Sequence, residues 1–440
     1  MMVISIILRS IKTMNQPQSN EIQPVSSLYR NYVLMMLTIV YVFNFVDRQI
    51  LVVLQESIKN DLGLSDTQLG LLSGLSFALF YVLLGIPIAR LADRSNRRNI
   101  VAISLTVWSA MTAACGMAQN FYHLLLARIG VGVGEAGASP PAHAMISDYF
   151  PENQRAKALS IYSVGIYLGI MIGFPLGSYL DGLFGWRVAF LVIGLPGILF
   201  AVFFFFTVKE PARTKEHGIS DDTESFKAVC KFLLAKKSFI FLALAGGFHT
   251  FATYGIGNWL ASFIIRLHLP TGGIEAGNIG LTIGLILGIA GGLGSFIGGY
   301  YADKLGKKDK SWYFKVSAYG GIFAIPFLIV FYFHGNTFIA LSCLFVGYAS
   351  VSTFLGPSIA IAHSIVPVKM RAFTSSVLFL ALNLIGLGFG PLVVGFISDL
   401  LTPTLGVEGL RWAMASTLFS SILGIVLFLK ASKYIDEDLS

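Results

Sequence analysis

The chain has 440 residues, of which 55% are hydrophobic and only 12% charged, with 46 glycines and 36 phenylalanines. Soluble domains carry about a quarter charged residues, so this composition excludes a water-soluble globule and points to a membrane protein with many spans. The formal net charge of +8 does not imply nucleic acid, because basic residues gather in the cytoplasmic loops of membrane proteins.

In chain order, residues 1–30 read as a disordered tail, with Met14 as an alternative start. The short apolar stretch VISIIL within it is too brief for a signal-peptide core. A span needs about 20 apolar residues. Twelve such runs follow, over 32–58, 67–91, 99–118, 121–149, 155–181, 187–208, 238–265, 276–302, 312–333, 337–364, 371–399 and 409–431. The polar segment 209–237 divides them six and six and reads as a linker, partly helical at KAVCKFLLAKK. The predicted domains are therefore a bundle at 31–208, the linker, a bundle at 238–432 and a tail at 433–440.

Of the 31 Lys and Arg, Arg48 and Arg128 lie deep within spans, and Lys59, Arg187, Arg266 and Arg411 fall opposite the N-terminus. The remaining 25 share the side of the N-terminus, which places both termini in the cytoplasm. Short loops and the absence of long extensions suggest a bacterial cytoplasmic membrane. Cys115, Cys230 and Cys343 are isolated and imply neither a disulfide framework nor a metal site. His143, His249 and His363 lack metal-site spacing as well. No phosphate-binding or hydrolase motif appears, which predicts gradient-driven transport without cofactors rather than an enzyme.

The halves repeat. ARLADRSNRR at 89–98 matches GYYADKLGKK at 299–308, with Asp93 on Asp303 at an offset of 210. PENQRA at 151–156 matches PVKMRA at 367–372, offset 216, and GSYLD at 177–181 matches GFISD at 395–399, offset 218. Two related six-helix halves are a recurring transporter architecture.

These loops resemble the G-x-L-A-D-R-x-G-R-R signature of the major facilitator superfamily. The second copy keeps Gly299, Ala302, Asp303, Lys304, Gly306, Lys307 and Lys308. The first keeps Asp93, Arg94, Arg97 and Arg98 but carries Ala89 and Asn96 at the glycine positions. NFVDRQIL at 44–51, R-x-x-x-G-x-G-E-A at 128–136 and SDYFPENQRAKALSIY at 147–162 together resemble the Spinster subfamily, which includes sphingosine-phosphate and lysophospholipid transporters. The resemblance implies an all-α integral membrane fold of twelve helices in two pseudo-symmetric bundles, working by alternating access. It also implies that spans one, four, seven and ten line a central cavity. The signature loops, with Arg155 and Arg371 in the PENQRA and PVKMRA stretches, would gate its cytoplasmic side.

RIGVGVGEAGASPPA, residues 128–142, concentrates the functional question. GVGEAG fits a dinucleotide fingerprint, but that motif needs a preceding strand, and this copy lies inside an apolar span. Arg128 and Glu135 are seven residues apart, almost two helical turns, and share a face. Gly130 and Gly134 admit a close neighbouring helix, and Pro140 and Pro141 interrupt backbone bonding. Asp47 and Arg48 lie mid-way along span one, where charge is costly and marks function by default.

Two readings stay open: ion pairs that hold spans one and four together, or a proton site on Asp47 or Glu135 with Arg128 as its counter-ion. Asn44, Arg48, Arg128 and Glu135 form the polar wall of the expected substrate site. Spans seven and ten carry no charge between 238 and 265 or 337 and 364. They offer His249, Tyr254, Asn258, Trp259, Phe345, Tyr348 and Thr353, as a binding wall or as packing.

A charged wall facing an uncharged one suits an amphiphilic organic anion, with small hydrophilic anions such as sugar acids, or a non-transporting sensor, as alternatives. Gly165, Gly169, Gly173 and Gly177 recur every four residues in span five and read as helix packing. They also match in part a glycine motif of exporters. The expected partners are the substrate, protons and the bilayer, with the chain acting as a monomer.

Overall fold

A computed structural model of the protein describes residues 26–211, 226–367 and 370–439. The expected tail over 1–25 and the linker stretch 212–225 lie outside the described residues. Among the described residues all regular elements are helical. Twelve long passages run over 27–62, 66–94, 97–115, 121–149, 152–184, 186–207, 237–271, 276–306, 312–333, 337–364, 371–405 and 408–431. Ten are long and apolar enough to cross a membrane. Of the other two, the third begins on Arg97 and Arg98, and the fourth is split into two shorter helices.

The expected spans fall within these passages or differ from them by a few residues at the ends. The first helix starts at Ser27, inside the expected tail, because the Ser26 hydroxyl accepts from the Tyr29 amide and caps it. The linker helix forms over Phe226–Ala235 and buries Val229 and Leu233 against the C-terminal bundle. The final segment is helical at Ile435–Leu439 and is anchored: the Ser238 amide donates to the Asp438 carboxylate at 2.6 Å.

The repeat reaches the backbone. Asn120 caps span four and Asn336 caps span ten, each with its side-chain oxygen on the amide three residues on. Span four breaks at 136–138, and span ten tightens into a 3₁₀ turn at Ser352–Phe354. Both pairs keep the offset of 216 seen in the sequence. After its break span four restarts at Ser139, with Pro140 and Pro141 in the first turn, where no backbone N–H is needed.

Glycines set the closest helix contacts. Gly165, Gly169, Gly173 and Gly177 of span five lie against Thr38, Tyr41, Phe45, Val46 and Val53 of span one. Gly130 and Gly134 of span four lie against Met111 and Trp108 of span three. One hydrophobic core joins both halves, through Leu54 and Leu69 on one side and Trp259 and Val394 on the other. Two further cores lie largely within one half each.

Candidate functional site: a buried charge cluster and a closed far face

Spans one and four bring the expected charges together in the N-terminal half. The Arg48 Nε donates to Glu135 Oε2 at 2.7 Å. Its guanidinium lies over the rings of Phe45, Phe77 and Tyr81, at 4.8–5.0 Å from their centroids. Aromatic faces are electron-rich, so this cage suits a cation withdrawn from water. Glu135 is fully buried, and Asn44 stands beside its carboxylate.

Asp47, the next residue along, is also fully buried, yet neither of its oxygens has a hydrogen-bond partner among the described residues. The Thr112 hydroxyl and the Trp108 indole face it without reaching hydrogen-bond geometry. Arg128 is buried, its Nε only 3.4 Å from the Leu72 carbonyl and its Nη1 unbonded. The cluster therefore holds one ion pair, whose Glu135 Oε1 is left unbonded, one bare carboxylate and one under-satisfied guanidinium.

The facing wall is more selective than the sequence suggests. Tyr254 of span seven packs on the N-terminal core, with its hydroxyl beside Arg48 and Glu135. Tyr348 and Tyr167 both contact Gly291, and the Tyr167 hydroxyl donates to Ser295 across the halves at 2.9 Å. Asn258 turns its amide onto the Tyr254 carbonyl of its own helix, at 2.9 Å.

His249 is corrected from a cavity position to the interior of the C-terminal bundle. Its ring lies between Phe354 and Phe428, against Gly321 and Gly424. Trp259 is likewise structural, with its indole donating to the Pro391 carbonyl of span eleven at 2.9 Å. Thr353 bonds the Ser350 carbonyl and packs on Gly320. Phe345 lines an apolar groove near the far ends of spans eight and ten. Helical periodicity alone does not separate these inward faces from the cavity face.

Five of the expected gating residues form hydrogen bonds or ion pairs within their own halves. Arg97 pairs with Asp148. The Arg97 and Arg98 amides donate to Glu210, at 3.1 and 2.8 Å. Asp303 accepts from the Tyr313 hydroxyl at 2.9 Å, Arg155 donates to the Phe150 carbonyl and Arg371 to that of His363. Arg94, Lys304, Lys307 and Lys308 are exposed, and the Asp93 side chain lies outside the described set.

Among the described residues, the ion pairs between halves lie at the opposite face, where the sequence reading assigns no role. Arg266 donates to Glu56 from Nε and Nη2, at 2.9 and 2.7 Å, and to both oxygens of Asp66 at 2.7 and 2.8 Å. Asp66 also pairs with Lys59 and accepts from the Ser398 hydroxyl at 2.6 Å. Asp399 accepts from the Asp66 and Thr67 amides, capping span two from span eleven. The available signal was the pair of far-side cations, Lys59 and Arg266, near three acidic residues.

The family model described as Major Facilitator Superfamily matches residues 37–391. The chain belongs to the Major Facilitator Superfamily. A crystal structure of a bacterial homolog to the human lysosomal transporter Spinster, inward-facing and occupied, superposes on this transporter with a TM-score of 0.83. That protein is 32% identical, covering 94% of this chain and 99% of its own. An MFS-type efflux pump of Mycolicibacterium smegmatis is 31% identical over 92% of each chain. The sphingosine-1-phosphate transporter SPNS2 of Xenopus tropicalis is 27% identical over 90% of this chain and 80% of its own. The facilitator fold and the Spinster resemblance of the sequence are thus both found.

Proposed function

We propose that the protein is a proton-coupled transporter of an amphiphilic organic anion, with Asp47 as the proton site. The carrying observation is the bare carboxylate. An ionised carboxylate buried without hydrogen bonds is costly, and taking up a proton removes that cost. Glu135 is already occupied by Arg48, so it is the partner that senses the change. Arg128, under-satisfied beside both acids, is the cation able to swing towards an ionised Asp47.

Both termini lie in the cytoplasm on this reading, and the far face is external. Loss of the Asp47 proton to the cytoplasm draws Arg128 in. Reprotonation from outside, once the Arg266 latch has opened, releases it. Proton and substrate thus use the same site, reached from alternate faces.

The walls support this substrate class. Arg48 and Arg128 face an anionic headgroup, while Tyr254 and Tyr348 offer aromatic surface with hydroxyls, as suits an apolar chain joined to a polar link. The Spinster relatives support this reading.

Purified protein in liposomes with an internal pH-sensitive dye tests it, with empty liposomes as the leak control. Lysophospholipids or sphingoid phosphates should drive a proton flux. Flux driven only by sugar acids would overturn the substrate class, and substrate movement with no proton flux would overturn the coupling.

A further inference from the structure

We propose that His143 is the port through which protons pass between the Asp47–Glu135 site and cytoplasmic water. This rests on the proton-coupled reading above. Glu135 ends the first helix of span four, Ser139 opens the second after the break, and His143 follows four residues on, about one turn or 6 Å further. Ser139 lies beside the hydroxyls of Tyr41 and Tyr162, and Tyr41 also lies beside Arg48, which holds Glu135.

The two tyrosine rings stack at 4.3 Å and 4°, and His143 meets Tyr162 edge-on at 5.3 Å. Hydroxyls thus lie between the charge cluster and the imidazole. His143 is exposed, while Ala142 and Met145 on the same helix are buried. The titratable groups facing it are Tyr162 from span five and, behind it, Tyr41 from span one. No carboxylate or cation among the described residues pairs with it or acts on it at short range.

The chemistry fits these positions. Imidazole exchanges protons readily near neutral pH. Serine and tyrosine hydroxyls donate and accept at once, so each takes a proton from one neighbour and gives one to the next. Glu135 Oε1 has no hydrogen-bond partner and can receive the last of these. For each proton that enters at His143 one arrives at the carboxylates, and nothing else changes charge. The reverse order empties the site.

The test follows the buried carboxyl stretch by time-resolved infrared spectroscopy after a pH jump, using the full chain in lipid and no substrate. Asp47→Asn and Glu135→Gln assign the band. His143→Gln should slow its appearance about a hundredfold or more, in the range of lost proton-transfer groups, and leave its final amplitude unchanged. Imidazole in the buffer should restore the rate. Tyr162→Phe, which keeps the stack and removes the hydroxyl, should slow it too. Wild-type rates in both variants would overturn the port and leave Asp47 in place. A band absent at every pH would overturn the proton site, and the port with it.

Discussion

Arg266 of the C-terminal half grips Asp66 of the N-terminal half with two nitrogens, at 2.7 and 2.8 Å, where the side chain of Asp66 is 1% exposed. Removing one partner of a buried pair costs about 3 kcal/mol, because the other charge is stranded. Arg266→Ala should therefore weaken the closed far face. Spin labels on the exposed positions Met117 and Val407, one in a far-side loop of each half, should report a longer distance in the variant. Arg266→Lys, which cannot fork, should lie between. Equal distances in all three proteins would remove the latch from the cycle.

Gly134 and Gly182 look alike in sequence, since both lie inside helices, but their surroundings differ. A Cβ on Gly134 would stand 2.6 Å from the Trp108 backbone nitrogen, whereas one on Gly182 meets nothing within 4 Å. Gly134→Ala should lower stability by about 1–3 kcal/mol through overpacking. Gly182→Ala should hold or raise it slightly, because alanine is the better helix former. Thermal unfolding in the same lipid or detergent compares them directly.

Trp259→Phe removes the tie to the Pro391 carbonyl and should cost about 1 kcal/mol of stability while leaving the substrate KM unchanged. Tyr254→Phe, at the facing wall of the charge cluster, should change KM with little loss of stability. Transport assays paired with melting curves separate the two. A KM change in the tryptophan variant would return Trp259 to the cavity.

The contrast between Trp259 and Tyr254 shows how far sequence reaches. Long apolar runs fixed by bilayer thickness made all twelve spans legible, and the loop signatures exposed the repeat. Asp47, Arg48, Arg128 and Glu135 were legible because charge is scarce at membrane depth and must find company. The uncharged wall was not, since a helix that is apolar all round gives no sign of which face meets the cavity. His249 and Thr353 proved to be packed within their bundle for that reason. The far-face latch was hidden differently: Glu56, Lys59, Asp66, Arg266 and Asp399 sit near span ends, where charge is ordinary, and only folding brings 56–66 beside 266 and 399. The repeat even misleads there. Asp181 and Asp399 align, yet Asp181 accepts from Ser57 in its own half while Asp399 crosses to span two.

Asp47 is the group proposed to carry the coupled proton. The most direct test compares Asp47→Asn with wild type in liposomes, using a transported lysophospholipid or sphingoid phosphate in two assays on each preparation. One assay is exchange of labelled for unlabelled substrate at equal pH. The other is accumulation against a concentration gradient, driven by a pH difference. The variant should keep exchange and lose driven accumulation. Driven accumulation at the wild-type level in Asp47→Asn would contradict it, and would assign the proton to another group.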